Sequence, residues 1–166
     1  MIRAFPVDLG AAPRFSDDYG KPRGSRSHEG IDIFAPEGAR VLAVDDGRVT
    51  FEFDPLGGTV AHVHASDGAR YYYAHLSGYE GVPRKVRAGD VIAYVGHTGN
   101  AAHTEPHLHF EAHPTATRDT VDPFPELQAA FHAPDVLPAP DKRKPAPRAP
   151  GGGLLLLALL YFASRR

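Results

Sequence analysis

The 166-residue sequence has no cysteine, no tryptophan and a single methionine. Without cysteine there is no disulfide framework, no thiolate metal site and no cysteine nucleophile, which excludes zinc fingers, iron–sulfur proteins and thiol peptidases together. A basic excess is missing too: 18 Lys and Arg against 20 Asp and Glu leave a formal charge of −2, which argues against nucleic acid as a partner. Long helices have little room, because 17 Gly and 16 Pro make up about a fifth of the chain, against roughly 12% in ordinary globular proteins. The segment after Met1 lacks the apolar run of roughly 7–15 residues that defines a secretory signal, so no signal peptide is visible. What the chain has in quantity is histidine, ten residues in all. Any metal must therefore be held by imidazole and carboxylate.

Composition divides the chain into three parts. Residues 1–133 read as one globular domain. Residues 134–150 interleave Pro134, Pro138, Pro140, Pro145, Pro147 and Pro150 with Ala, Asp and the basic run Lys142-Arg143-Lys144, which suits a stiff, extended linker. Residues 151–166 open on three glycines, continue through an uncharged Leu-rich run and end on Arg165-Arg166. That hydrophobic tail is shorter than the about 20 apolar residues of a spanning helix. It reads as an apolar end without fixed structure or as a membrane association element.

Within the domain the hydrophobic period is two. Val41 and Ala43, Val49 with Phe51 and Phe53, Ala61 with Val63 and Ala65, Tyr72 with Ala74 and Leu76, and Leu108 with Phe110 and Ala112 each mark one face of a strand. Turn signals such as Asp54-Pro55-Leu56-Gly57-Gly58 separate the runs. The expected fold is mostly β, a compact antiparallel sandwich or barrel of short strands, with one short helix over Glu126–His132. No repeat of 20–50 residues suggests a solenoid.

Three segments carry candidate chemistry. His28 and Asp32 lie four apart where a loop enters a strand, a spacing that an ordinary surface His and turn Asp also satisfy. In His107-Leu108-His109 the two imidazoles share one strand face while Leu108 and Phe110 supply the buried one; a polar face alone explains such a pair equally well. In Tyr71 to Leu76 the same alternation puts Tyr72, Ala74 and Leu76 in the core and Tyr71, Tyr73 and His75 on the other face. Together the segments supply two His and a carboxylate for a metal, with two further His nearby. Catalytic zinc typically takes three protein ligands and keeps a fourth position open. The H-E-x-x-H helix of other zinc peptidases is absent. The remaining histidines read as surface groups: His62 and His64 on a polar strand face, and His97, His103, His113 and His132 in turns or at the domain end. His103, four residues before His107, is the reserve ligand.

The chain resembles the lysostaphin-type zinc metalloendopeptidases of peptidoglycan. The resemblance rests on Arg26-Ser27-His28-Glu29-Gly30-Ile31-Asp32, Tyr73-Ala74-His75-Leu76, Gly96-His97-Thr98-Gly99-Asn100 and Pro106-His107-Leu108-His109-Phe110-Glu111, in family order and spacing from about Arg14 to Phe124. It implies a fold like a duplicated hybrid motif barrel and one Zn2+ per chain held by His28, Asp32 and His109. It further implies that His75 and His107 act on the water and the scissile amide of bacterial peptidoglycan, in a monomeric enzyme of the cell envelope. The segment from Asp54 to Val60 is short where relatives often carry a longer loop beside the groove, and no separate wall-binding domain is present. The competing function is a catalytically silent peptidoglycan-binding or regulatory module of the same fold; such modules usually lose a ligand, and here every position is filled. A lipoyl- or biotinyl-type carrier barrel is excluded because no Lys lies between Lys21 and Lys85.

Overall fold

The computed structural model describes residues 1–114 and 119–133; the Pro-rich linker and the apolar tail lie outside the described residues. In chain order the strands are β1 (Arg14–Phe15), β2 (Pro22–Arg23), β3 (Arg26–Ser27), β4 (Ile31–Phe34), β5 (Arg40–Leu42), β6 (Gly47–Asp54), β7 (Gly58–Ala65), β8 (Arg70–Leu76), β9 (Gly78–Tyr79), β10 (Arg84–Val86), β11 (Val91–Tyr94) and β12 (His107–His113), followed by helix α1 (Phe124–His132). A seven-stranded antiparallel sheet runs β1-β4-β12-β8-β7-β6-β10, a three-stranded sheet runs β5-β11-β9, and β2 and β3 form a separate hairpin. The fold is mostly β with one described helix, as the period-two pattern requires.

Both larger sheets feed one core. From the large sheet come Ile31, Ile33, Val49, Ala61, Val63, Leu108 and Phe110, and from the small one Val41, Ile92 and Ala93, all fully buried. Burying side chains of this size contributes roughly 1.5–3 kcal/mol each, and strict alternation means that every inward residue sends its neighbours to the opposite face. That opposite face of the large sheet carries the polar residues. Register sets them in rows: Asp32, His109 and Ala74 stand side by side across β4, β12 and β8, and Glu111, Tyr72 and His62 across β12, β8 and β7.

The N-terminal segment closes the core, which sequence periodicity did not anticipate. Ile2, Ala4, Phe5 and Val7 are buried, and Phe5, Phe15, Phe124 and Phe131 form a ring cluster with centroids 5.1–5.8 Å apart. Helix α1 begins at Phe124, two residues earlier than expected, because a proline in the first turn forfeits no helical hydrogen bond. Its anchor in the core is Leu127.

The face assignment of β8 is corrected. Tyr71 and Tyr73 are buried in the core and Tyr72 and Ala74 point to the polar face, the reverse of simple alternation with His75. The cause is a register shift against β7, where Thr59 pairs with Leu76 and Ala61 with Tyr73, so β8 carries one extra residue. His75 takes up that residue with a left-handed φ of 63°. The bulge turns His75 onto the face of Tyr72 and Ala74 while Leu76 returns to the core. Phe53, expected to extend the buried face of β6, is instead 75% exposed at the end of its hairpin.

Candidate functional site

The His28–Asp32 segment leaves β3, turns, and enters β4, which pairs with β12 so that Asp32 stands opposite His109. Gly30 makes the approach possible. A Cβ at this position would lie 2.3 Å from the Phe110 carbonyl oxygen, so any side chain here would push the loop away from β12.

Three donor atoms converge. His28 Nε2 lies 2.9 Å from His109 Nδ1 and 3.1 Å from Asp32 Oδ1, and His109 Nδ1 lies 3.0 Å from the same oxygen. The opposite edge of each ring is committed elsewhere. His28 Nδ1 meets the Asp18 carbonyl at 3.0 Å and the Asp18 carboxylate at 3.3 Å, and His109 Nε2 meets Glu111 Oε1 at 3.0 Å. Arg23 Nη2 also comes within 3.4 Å of His28 Nδ1, but the two Asp18 oxygens are nearer and Arg23 is spent on Asp32 and Asp18, so each outer nitrogen carries its proton toward an acceptor and each inner nitrogen presents a lone pair to the shared centre. The second oxygen of Asp32 accepts from Arg23 at 2.6 Å, leaving Oδ1 for the centre.

The electrostatics favour a cation there. Burial alone pushes the His28 imidazolium down, but its bonds to Asp18 and Asp32 prevail and raise its pKa to about 9. His109 is raised likewise, its burial outweighed by Asp32 and Glu111. Burial pushes both carboxyls up, yet His109 and His28 hold Asp32 far below the carboxylate range, and His109 and His113 hold Glu111 at about 2. Two imidazole nitrogens and one carboxylate oxygen are also the donor chemistry of a catalytic zinc site with an open position.

His75 and His107 stand beside this cluster in a different setting. Their ring centroids are 4.9 Å apart and both are buried. Each ties Nδ1 to a backbone carbonyl, His75 to Thr98 at 2.9 Å and His107 to Glu105 at 2.8 Å, which leaves Nε2 bare on each ring. His107 Nε2 lies 4.0 Å from Asp32 Oδ1. Burial, then His107 and His109, push the His75 pKa down to about 4. The loop supporting His75 is held by a close backbone contact: Gly58 and Gly99 both have positive φ, and a Cβ on Gly58 would sit 2.4 Å from Gly99 N.

A groove of about 460 Å³ runs over His28, Asp32, His109 and His75, with Arg23 and Arg26 from the β2–β3 hairpin, Leu56 and Gly57 from the β6–β7 turn, and Tyr72, Asn100 and Glu111 among its lining; His107 is buried beside His75 and does not line the groove. All five candidate residues of the sequence lie on this one face. Two bland expectations are corrected. His113 is buried, bonded to Glu111 at 2.9 Å, because the alternation of β12 carries it onto the face of His107 and His109. His62 is also buried, bonded to Glu52 at 2.7 Å. His103 is exposed in a turn, and His97 is half-exposed near Glu37. The sequence reading missed Asp18, Arg23 and Arg70; for Glu111 and His113 the period-two pattern of β12 was a sufficient signal.

The model of Peptidase family M23 matches residues 26–123. The DD-carboxypeptidase/endopeptidase Mpg of Neisseria meningitidis serogroup B is 40% identical over 113 residues, 65% of this chain and 26% of that protein. The L-Ala--D-Glu endopeptidase of Bacillus subtilis is 31% identical over 140 residues, 76% of this chain and 43% of that protein. The chain therefore spans less than half the length of these two curated relatives. Among solved structures, the catalytic domain of the antimicrobial peptidase lysostaphin from Staphylococcus simulans matches with a TM-score of 0.64 at 32% identity, covering 70% of this chain and 93% of that domain. With the family model spanning more than half of the sequence and the same fold carrying it, the chain belongs to Peptidase family M23.

Proposed function

We propose that this domain is a zinc-dependent endopeptidase that hydrolyses amide bonds in the stem peptides or cross-bridges of peptidoglycan, working in the cell envelope. The observation that carries the reading is the convergence of His28, Asp32 and His109 on one centre within 3.1 Å, with the imidazole of His75 lining the same groove and that of His107 packed beside it. His28 Nε2, Asp32 Oδ1 and His109 Nδ1 would hold the ion. When bound, zinc polarises an amide carbonyl and makes water a stronger nucleophile near neutral pH.

The chain's own residues supply the rest. Hydrolysis adds water to the carbonyl carbon and breaks the C–N bond, so one proton must leave the water and one must reach the departing amine. His75 is suited to the first task, because its depressed pKa keeps Nε2 unprotonated at neutral pH while Thr98 fixes the ring. His107 presents Nε2 from the neighbouring strand; once that nitrogen has taken up a proton, it can give the proton to the amine or donate a hydrogen bond to the developing oxyanion. Residues 134–150 and 151–166 would tether the domain, the tail contributing location and not catalysis.

Incubating the zinc-loaded protein with insoluble peptidoglycan and identifying released fragments by mass spectrometry tests the reading. Fragments with new amine and carboxylate ends are expected. A protein that binds zinc and wall but releases nothing would be a silent binding module.

A further inference from the structure

Beyond the cluster, a continuous polar chain crosses the sheet face. His109 Nε2 meets Glu111 Oε1 at 3.0 Å, and Glu111 Oε2 meets His113 Nε2 at 2.9 Å. His113 Nδ1 in turn meets Arg70 Nη2 at 3.1 Å. From Arg70 a second arm continues through Nη1 to His62 Nδ1 at 3.2 Å and from His62 Nε2 to Glu52 at 2.7 Å. The register that pairs His113 with Arg70 and Glu111 with Tyr72 lays these groups in adjacent rows over β12, β8, β7 and β6.

The direction of every bond in the first arm follows from two groups: the ionised Glu111 carboxylate only accepts, and Arg70 only donates. An arginine has only donors, so the ring nitrogen it engages must be bare. Arg70 therefore makes His113 Nδ1 an acceptor and sends the ring proton to Nε2, where Glu111 accepts it. Arg70 Nη2 also lies 3.3 Å from His113 Nε2, but a protonated nitrogen cannot accept there, so Nδ1 is the partner. Glu111, held from below by a donor, keeps its other oxygen for the His109 Nε2 proton. His109 is then left with its lone pair at Nδ1, the atom facing His28 and Asp32. Without Arg70, His113 Nδ1 loses the donor that seats its ring, and the Glu111 carboxylate loses the fixed partner that holds it against His109 Nε2.

We propose that Arg70 is a positioning residue for the metal centre, acting through His113 and Glu111 to present the His109 Nδ1 lone pair to the ion. The proposal rests on His109 being a metal ligand. Outer partners of this kind change metal affinity by roughly 10- to 100-fold when removed. Arg70→Met, which keeps the stem and removes the donors, should weaken zinc binding about tenfold or more in competition with a chromophoric chelator, with the melting temperature of the metal-free protein little changed. His62→Gln, on the arm leading away from the centre, should leave zinc affinity as in the wild type.

Glu111→Gln gives a sharper readout. Its single amide oxygen can accept only one of the two ring protons, so its N–H meets the other, and Arg70 prevents the tautomer change at His113 that would relieve the clash. The double variant Arg70→Met with Glu111→Gln should therefore lose less affinity than the two single losses combined. Wild-type affinity in Arg70→Met, or an equal loss in His62→Gln, overturns the proposal. If Arg70→Met does not fold, His113→Phe removes the same link and carries the same expectation, and unchanged affinity there overturns it equally. A wild-type protein that takes up no zinc would instead overturn the metal-site reading on which the inference depends.

Discussion

The imidazoles gathered about this site differ in chemistry: His28 and His109 face carboxylates, and His75 with its neighbour His107 faces backbone carbonyls. His28 and His109 are bonded to carboxylates, and their affinity for a proton rises, to a pKa of about 9 for His28. His75 bonds only to a backbone carbonyl, and burial with two histidines beside it takes its pKa down to about 4. The ring centroids of His75 and His109 are only 5.9 Å apart. Residue type and burial are shared, so the partner decides. Asp18, Asp32 and Glu111 make one side of the site a place for a positive charge, and the Thr98 and Glu105 carbonyls leave His75 and His107 with bare outer nitrogens, the nearest carboxylate oxygen to His107 Nε2 being Asp32 Oδ1 at 4.0 Å.

The strongest way to break this division is to remove a donor from the cationic side. His28→Ala or Asp32→Ala should abolish stoichiometric zinc, since two remaining donors and no cysteine offer no substitute; elemental analysis of dialysed protein checks it. Next comes the other side. His75→Ala should keep its zinc and fold while losing on the order of 100- to 10,000-fold in hydrolysis rate, and His75→Ala combined with His107→Ala should be little worse than either alone.

The pH dependence sharpens the same contrast. Proton and metal compete for His28 Nε2, so zinc affinity of the wild type should fall as pH drops below about 9, measurable by chelator competition at several pH values. The metal-free protein should behave differently on each side of neutrality. The raised His28 contributes stability present below the unfolded pKa of about 6.5 and lost as pH rises through about 9. The depressed His75 acts in reverse, its contribution being lost as pH falls from about 6.5 through about 4. Thermal melts across this range should report both limbs. The smallest effect belongs to the tail: deleting residues 151–166 should leave peptidoglycan hydrolysis of the soluble protein unchanged, and lost activity would make the tail part of the fold.

Much of this was legible in the sequence because a strand has a period of two. Leu108, Phe110 and Ala112 announced which face of β12 is buried, and His107 and His109 followed on the other. The same rule failed on β8, because one inserted residue inverts the faces beyond it and no local composition marks His75 as left-handed. Histidine there takes a conformation usually left to glycine, and the bulge is what brings its ring into the groove. Tertiary partners were out of reach for another reason. Asp18 and Arg70 are separated from His28 and His113 by 10 and 43 positions, and no spacing rule links a loop carboxylate or a strand-end arginine to a ring nitrogen. Phe5 and Ile2 gave no periodic signal, since their segment packs on the core without forming a strand of length.

The division between holding the ion and moving the proton is tested most directly by His107→Ala, with zinc content and release of peptidoglycan fragments measured on the same preparation. His107 shares a strand face with His109 but packs against His75, their ring centroids 4.9 Å apart. One zinc per chain together with a rate reduced at least about 100-fold is the predicted result. Near-normal fragment release, or loss of the zinc, would contradict it.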